Sequence, residues 1–375
     1  MTTLKLPGMI DAHVHLREPG GTHKESVTSG TTAALAGGVV GILEMPNTNP
    51  ATTDADSFTL KHKLYRSKSR CDFGLFLGSD GCNLNAMTKL GNRAAGLKLY
   101  LDNTYGDLCI QHPALLEPIW EHWPGPGPIC VHAERTQSLS RALSLTARYS
   151  QRLHICHVSR EENLRLILAA KDQGLPVTFE VTPHHLFLTV EDAKRLGPFG
   201  MMKPSLGTPH DREALWQHLD DIDCIATDHA PHTREEKLGA EPPPGVPGLE
   251  TALPLLLTAV DKGKLGISRL IELTYLNPLR IFPIAPPADT WVEVDPNARY
   301  QLSDGSLQTR CGWTPFEDMW VIGRVMRTWV RGQMAFELGK ICADPGTGHD
   351  MVQGFPVNQT EFRNHASRAK LKADS

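Results

Sequence analysis

The sequence predicts an α/β fold, a (β/α)8 TIM-type barrel with a small β domain formed by the N-terminal few residues and the C-terminal region. Eight short apolar, β-prone runs alternate with polar segments of helical character. Side chains of the types that bind metals recur at the ends of these runs, and active sites of barrel enzymes are built at the carboxyl ends of the strands. Such alternation over about 250 residues matches a closed barrel better than an open doubly wound sheet.

The predicted strands are the eight apolar runs, each bounded by turn residues or a polar segment. They occupy residues 9–16, 39–45, 72–77, 95–101, 128–132, 152–158, 176–181 and 224–227. Ser159 and Glu162 have the spacing of a capping box that opens a helix running to about residue 173. Thr208 before Pro209 predicts the start of another helix. These signals place helices between strands, as a barrel requires.

Changes in composition and periodicity along the sequence predict three parts. These are a metal-dependent barrel over residues 9–283, a small β domain from 1–8 and 284–342, and a tail. Prolines cluster after residue 283, and short alternating runs follow at 291–295 and 330–334. From about residue 343 to 375 the sequence is polar and without periodicity, which predicts a linker or a disordered end.

Composition narrows the class of partner. The 375 residues carry a net charge of -4, so no broad basic field for nucleic acid is expected. The longest apolar stretch, 249–260, is too short and too interrupted to span a bilayer, and charged residues precede any apolar region of a signal peptide. The 8 cysteines are scattered without a C-x-x-C pair, which favours reduced thiols and a cytoplasmic location.

Two histidines end the first run. His13 and His15 are two residues apart, so on a strand both imidazoles project to one side and can reach one metal ion. An exposed histidine pair is the alternative interpretation.

Lys98 lies inside the fourth apolar run, where an ammonium group loses several kcal/mol of hydration. One interpretation is a side chain that extends to the surface. The other is covalent, because carbon dioxide adds to a neutral amine to give a carbamate, an anion able to bridge two divalent metals.

Further metal-type residues end the later runs. His132 ends the fifth run, His157 the sixth and Asp228 the eighth, so these side chains recur on the schedule of the strands. Glu180, at the end of the seventh, is either a metal ligand or a partner that orients one. Together these positions predict two zinc sites sharing a bridging carbamate. Two such ions lower the pKa of a shared water toward about 7 and polarise a carbonyl.

The motifs that surround these residues resemble those of dihydroorotases within the amidohydrolase superfamily, of the type found in the animal trifunctional pyrimidine-synthesis polyprotein. The resemblance covers the chain to about residue 345. Its motifs are PGMIDAHVHLREPG at 7–20, MPNT at 45–48, GLKLY at 96–100, HICH at 154–157, TPHHL at 182–186, TDHAPH at 227–232 and PPPGVPGLE at 242–250. Such a set is highly specific.

The resemblance assigns roles to individual side chains. One Zn2+ would be held by His13, His15 and Asp228, and the other by His132 and His157, with N6-carboxylated Lys98 bridging them. The number of ions stays open between two and three, the third engaging Glu180. Asp228 would take a proton from the attacking water and deliver it to the leaving nitrogen. The implied substrate-binding residues are Arg17, Asn47 and His232, and the implied residues of a mobile catalytic loop are Thr104 and Tyr105.

The resemblance also implies the reaction and the partners. The reaction is the reversible cyclisation of N-carbamoyl-L-aspartate to (S)-dihydroorotate, the third step of UMP synthesis. A homodimer and covalently linked carbamoyl-phosphate synthetase and aspartate transcarbamoylase domains are the expected partners. Two positions depart from the family pattern: Tyr105 stands where animal enzymes have phenylalanine, and Lys203 where arginine is expected. These departures concern loop closure and substrate affinity rather than the metal ligands.

Two alternative functions compete with this one. A dihydropyrimidinase, hydantoinase or allantoinase would use the same zinc ligands, but Arg17 favours an anionic substrate because a neutral ring leaves its charge unpaired. A catalytically silent assembly module is the second alternative, and it is disfavoured because every expected ligand is present.

Overall fold

The centre of the molecule is a barrel of parallel strands in a computed structural model that describes residues 3–106, 108–110, 112–285 and 287–352. Its strands are Met9–Val14, Val39–Glu44, Asp72–Leu75 continued by Leu77–Gly78, Leu97–Tyr100, Ile129–His132, Leu153–Ile155, Val177–Val181 and Cys224–Ile225. Each strand pairs in parallel with the next one along the chain. The third strand does so in two parts, since Asp72–Leu75 pairs with the second strand and Leu77–Gly78 with the fourth. A parallel bridge between Val14 and His229 closes the ring. The predicted fold class and its eight strands are confirmed.

The strands are buried along their length because the barrel interior covers one face and the helices cover the other. The helices are Val27–Ala36, Ala55–Lys68, Leu84–Leu90, Leu116–His122, Thr136–Tyr149, Glu161–Asp172, Pro183–Phe187, Val190–Leu196, Pro209–Gln217, Arg234–Lys237, Ala252–Asp261, Ile267–Ile271 and Asn277–Ile281, with a π-helical turn at Glu272–Leu276. Short 3-10 turns occupy Gly91–Arg93, Pro113–Leu115, Gly197–Gly200 and Asp304–Ser306.

The predicted helix starts are right in one case and shifted in the other. Thr208 caps its helix as expected, since its side chain accepts the backbone N–H of Asp211. Ser159 does not cap; the helix begins one residue later with Arg160 at the cap position. The Asp211 carboxylate accepts the N–H of Glu161 at 3.1 Å, so a neighbouring helix supplies the acceptor that a local serine was expected to give.

The small β unit is a five-stranded antiparallel sheet. In spatial order its strands are Leu4–Leu6, Trp291–Gln301, Trp320–Val330, Gln333–Glu337 and Lys340–Ile341. The N-terminal strand therefore joins the C-terminal region, as predicted. The alternating run predicted at 330–334 is instead a hairpin turn, because Arg331 and Gly332 both have positive φ, at 50° and 72°.

The segment 343–352, part of the predicted polar tail, is packed against the barrel. The backbone N–H of Phe73 donates to His349 O at 2.9 Å, and that of Met351 donates to Phe73 O at 2.7 Å. The Met351 side chain is buried in the apolar cluster inside the barrel. The sequence around it is largely polar and did not predict this contact. The rest of the predicted tail, 353–375, lies outside the described residues. No helix among the described residues has the length and apolar character to cross a membrane.

Candidate metal centre and substrate pocket

The predicted site residues meet at the carboxyl ends of the barrel strands. His13 lies in the first strand and His132 ends the fifth. His157 and Asp228 follow the sixth and eighth strands in left-handed backbone conformations, with φ of 39° and 47°. Non-glycine residues held in this conformation are uncommon and concentrate at functional sites. The turns aim both side chains back over the mouth of the barrel.

Three of the predicted ligands form one cluster. The Asp228 Oδ1 atom lies 3.3 Å from His13 Nε2 and 3.1 Å from His15 Nε2. One donor atom from each residue lies within 4.8 Å of the others, and all three residues are buried. Nitrogen and carboxylate oxygen at this spacing are a donor set that suits Zn2+.

His132 and His157 form a second cluster beside the first. His132 Nδ1 lies 3.1 Å from His157 Nε2, and the His157 ring centroid is 5.2 Å from that of His13. Their remaining nitrogens, His132 Nε2 and His157 Nδ1, are buried and have no hydrogen-bond partner within the described part of the chain. An unsatisfied buried polar atom costs about 1–3 kcal/mol. The histidines therefore fit a role as ligands better than one as satisfied core residues.

Lys98 is fully buried, so a side chain reaching the surface is the wrong interpretation. Its charge acts on residues of both clusters, among them His13, His132 and Asp228. Its Nζ donates to Cys156 Sγ at 2.9 Å, and thiols are weak acceptors. No carboxylate oxygen of the described residues lies within 4 Å of Nζ. A buried amine without an anionic partner, beside unpaired imidazoles, fits a carbamate that binds cations.

Glu180 lies on the far side of His13 from Asp228. Its Oε1 accepts from His13 Nδ1 at 2.5 Å, and its Oε2 lies 3.1 Å from His154 Nε2. Burial alone would raise the pKa of this carboxyl, but the charge and hydrogen bonds of His13, with those of His154, hold it below its usual value. A proton on Nδ1 leaves His13 Nε2 bare for a metal, which is how a carboxylate orients a histidine ligand.

Two residues of this inner region were missed from the sequence. The Sγ of Cys156 lies within 4.8 Å of ligand atoms of His13 and Glu180, which makes a further set of metal-type donors. His154 accepts from or donates to Thr178 Oγ1 at 2.9 Å and faces Glu180 with its other nitrogen. Both belong to the HICH motif, whose final histidine alone received a role. Residues two apart on a strand point to the same side. This alternation could have identified His154 and Cys156 as a pair of side chains that face the same region.

The predicted substrate residues surround a small cavity above the clusters. Arg17 is buried, and its Nε donates to Pro231 O at 3.0 Å while one Nη lies 3.1 Å from His232 Nε2. Asn47 Oδ1 lies 2.7 Å from His15 Nδ1, and its Nδ2 donates to Tyr105 O at 3.1 Å. Asn47 thus connects a predicted zinc ligand to the predicted loop.

The cavity itself has a volume of about 30 Å3, room for no more than a few waters. It is lined by His13, His15, Arg17, Asn47, Tyr100, Thr104, Tyr105, His132, His157, Lys203, Asp228, Ala230, Pro244 and Gly245. Lys98, Glu180 and His232 do not line it; Glu180 contacts the lining residue His13, and His232 contacts the lining residue Arg17. Lys203 Nζ donates to Asn103 O at 3.2 Å, so the lysine at this departure from the family pattern contacts the loop backbone.

The buried histidines make a prediction for pH-dependent stability. Burial lowers the pKa of His13, His15 and His157, and it lowers that of His132 to about 3. In the unfolded chain these groups titrate near 6.5. The folded form therefore binds fewer protons between those values, and the free energy of unfolding of metal-free protein should fall as the pH drops below about 6.5, by up to about 1.4 kcal/mol per pH unit for each histidine.

Urea unfolding of metal-free protein between pH 7 and 5 measures this slope. His132→Gln should reduce it by up to about 1.4 kcal/mol per pH unit, the full amount being reached toward pH 5, whereas His218→Gln, which replaces an exposed histidine, should leave it unchanged. Equal slopes for the parent and His132→Gln would contradict the prediction.

Comparisons with known proteins agree with this geometry. A family model described as "Dihydro-orotase-like" matches residues 2–103. The chain is 49% identical over 355 residues to the multifunctional protein CAD of Squalus acanthias, covering 94% of this chain and 16% of that protein. It is 36% identical to a dihydroorotase of Pyrococcus furiosus, covering 91% of this chain and 83% of the relative. The chain thus spans only a small part of the multifunctional relative.

Two solved structures share the architecture. An L-hydantoinase (dihydropyrimidinase) from Arthrobacter aurescens has a TM-score of 0.89 at 26% identity, covering 94% of this chain and 89% of that one. The inactive dihydroorotase-like domain of a CAD-like multifunctional protein from Chaetomium thermophilum has a TM-score of 0.79 at 26% identity, covering 94% and 100%. The fold and the cluster of metal-type residues are those of an amidohydrolase. The dihydroorotase of Pyrococcus furiosus, 36% identical over most of both chains, shows the family within that class. The chain belongs to the dihydroorotase family.

Proposed function

We propose that this chain is an active dihydroorotase that interconverts N-carbamoyl-L-aspartate and dihydroorotate. The observation that carries the proposal is the convergence of the metal-type residues with buried Arg17 around one cavity. The family includes a structure described as inactive, so membership alone does not establish turnover. The complete donor set favours activity over a purely structural role.

The residues fit two Zn2+ ions. His13, His15 and Asp228 would hold one ion and His132 with His157 the other, and carboxylated Lys98 would bridge them. When bound, such a zinc pair supplies an activated water and polarises the amide carbonyl. Cys156 and Glu180, beside His13 Nδ1, would serve a third ion if the hydrogen bond between His13 and Glu180 gave way to it.

Asp228 is proposed to move the proton of the reaction. Burial raises the pKa of its carboxyl, against the lowering effect of His13 and Lys98. A raised pKa brings the protonated form closer to neutral pH, which suits a group that accepts a proton and then delivers it to the ring nitrogen. Its left-handed backbone fixes the carboxylate between the two histidines. Cyclisation uses the same groups in the opposite order.

Arg17, Asn47 and His232 are proposed to bind the substrate carboxylate. A guanidinium carries five N–H donors in a planar fork that matches a carboxylate, and Nε is already committed to Pro231 O. Because Arg17 lines the cavity, its remaining donors are proposed to serve the substrate. An anionic ring therefore pairs with this charge, and a neutral ring leaves it buried and unpaired.

We further propose that the chain acts as a homodimer and as one part of a multifunctional pyrimidine-synthesis protein with linked carbamoyl-phosphate synthetase and aspartate transcarbamoylase activities. Support for the linked activities comes from the two multifunctional relatives, from Squalus acanthias and Dictyostelium discoideum, which match 94% and 92% of this chain. The homodimer rests on the family resemblance alone.

Hydrolysis of dihydroorotate, dihydrouracil and hydantoin, with and without a chelator, tests the function. We expect turnover of dihydroorotate alone that is lost with the metal. Arg17→Met should raise KM for dihydroorotate about 100-fold, the equivalent of two charge-assisted hydrogen bonds at about 1.5 kcal/mol each, with a smaller effect on kcat.

Preference for the neutral rings would instead assign the chain to the hydantoinase class. Zinc-loaded protein without turnover of any ring would indicate an assembly module. Arg310→Met is the matched control, because Arg310 is an arginine whose guanidinium bonds Thr22 O outside the cavity; it should leave KM unchanged.

A further inference from the structure

Lys24 is a buried cation that no step of the proposed reaction uses. It lies beyond the first barrel strand, 6% exposed, and does not line the small cavity. Its Nζ is 2.8 Å from Tyr105 Oη, 3.2 Å from His232 Nδ1 and 3.0 Å from Glu236 Oε1. An ammonium has three hydrogens to donate, and here each has one acceptor from a different part of the chain.

We infer that Lys24 is a positioning residue that fixes His232 in one tautomer and ties it to Tyr105, so that the segment 101–106 closes onto an already oriented substrate histidine. The inference rests on the proposed function, which makes His232 a substrate-binding residue.

The tautomer follows from donor and acceptor chemistry. Because an ammonium can only donate, His232 Nδ1 must accept, and the ring hydrogen then resides on Nε2. There the carbonyl of Pro244 accepts it at 3.1 Å. Burial, with the nearby charges of Arg17, Lys24 and Lys237, lowers the pKa of His232, so the ring stays neutral.

This tautomer has a consequence for Arg17. Its Nη2 lies 3.1 Å from His232 Nε2, and both atoms carry hydrogens when Lys24 occupies Nδ1. Two donors do not bond each other, so the hydrogens of Nη2 remain available to a carboxylate in the cavity. In the other tautomer, Nε2 would accept from Arg17 and take one of the donors that the substrate needs.

Tyr105 joins the same group of side chains. Its ring centroid is 4.9 Å from that of His232 in an edge-on arrangement, and 4.7 Å from Lys24 Nζ. Arg17 Cζ lies 5.1 Å from the same ring. The aromatic contacts need only a ring, whereas the bond from Lys24 needs the hydroxyl. Tyr105→Phe therefore removes one interaction and keeps the others.

The closed position of the segment has to be temporary. A cavity of about 30 Å3 does not hold a six-membered ring with its carboxylate, so Tyr105 must withdraw for substrate to enter. Withdrawal breaks the hydrogen bond to Lys24, and return remakes it. The bond thus favours the closed form and should act on substrate affinity more than on the chemical step.

The first test is the tautomer in zinc-loaded wild-type protein. Long-range 15N–1H spectra of histidine-labelled protein, with His232 assigned by its loss in His232→Gln, should show hydrogen on Nε2 alone. Lys24→Met should abolish that pattern or mix it. Hydrogen on Nδ1 in the wild type would overturn the inference, and this readout is independent of whether the chain turns over dihydroorotate.

The second test is kinetic. Tyr105→Phe should raise KM for dihydroorotate about 3- to 10-fold, the range for one lost hydrogen bond, and Lys24→Met about 10- to 100-fold, with zinc content unchanged. The double variant should resemble Lys24→Met, because the hydroxyl has no donor left. Multiplicative effects in the double variant, or lost zinc in Lys24→Met, would argue against the positioning role. If Lys24→Met does not fold, the wild-type tautomer and Tyr105→Phe still decide.

Discussion

Lys98→Ala is expected to lower kcat for dihydroorotate by about 10⁴-fold or more and to remove at least one zinc per chain. The physical reason is the loss of the bridging anion, since a methyl group offers no ligand between the two histidine clusters. Bound zinc measured by mass spectrometry and kcat measured on the same sample give the result. Because Lys98 is fully buried, a change in surface charge cannot account for the loss of zinc and activity.

Lys98→Arg is the matched variant. It keeps a cation at the position but does not form a carbamate, so zinc and activity should be lost as in Lys98→Ala. An arginine variant that keeps normal zinc and turnover would show that no carboxylated side chain is needed. The parent protein should carry about two zinc ions or more; a chain that purifies without zinc and binds none would point to the assembly role.

Asp228→Asn is expected to lower kcat by about 10²- to 10⁴-fold, the usual range for loss of a general acid–base group. The amide keeps the size and one oxygen of the carboxyl near His13 and His15, but it does not accept a proton at neutral pH. KM should change less than kcat, because Arg17 and its neighbours still bind the substrate. Single-turnover kinetics measure the chemical step directly.

Asp11→Asn provides the comparison for that variant. Asp11 is also buried, and its carboxylate accepts the backbone N–H of Thr227 at 3.0 Å. Burial raises the pKa of its carboxyl to about 7, so a neutral amide resembles a form that it already adopts near neutral pH. Its kcat should fall less than 10-fold. Equal losses in the two variants would remove Asp228 from the proton-transfer role.

The barrel and the ends of its strands were predictable because both depend on local patterns. Strands such as Val39–Glu44 are buried on both faces and so appear as apolar runs. Candidate ligands such as His132 could be predicted because they stand at the end of such a run. The convergence of these residues at one face was a consequence of parallel pairing rather than of any single motif.

Other features depend on partners distant in sequence. Lys24 has no local signal, since its acceptors Tyr105 and His232 lie 81 and 208 residues away. The acceptor for Glu161 came from Asp211, and only the finished barrel shows why Met351 is buried. Sequence reasoning identified which residues carry chemistry, but it did not show which side chains hold them in place.

The burial of Met351 bears on where the barrel ends as a stable unit. A fragment ending at residue 342, where the sequence becomes polar, would lack Met351. The side chain of Met351 fills the amino-terminal end of the barrel interior, opposite the candidate metal centre. Gly41 shows how close the fit is, because a Cβ there would meet Met351 Sδ at 2.7 Å. Losing a buried methionine side chain costs about 2–5 kcal/mol, so a fragment trimmed at residue 342 would lose a large share of the roughly 5–15 kcal/mol that keeps a domain folded.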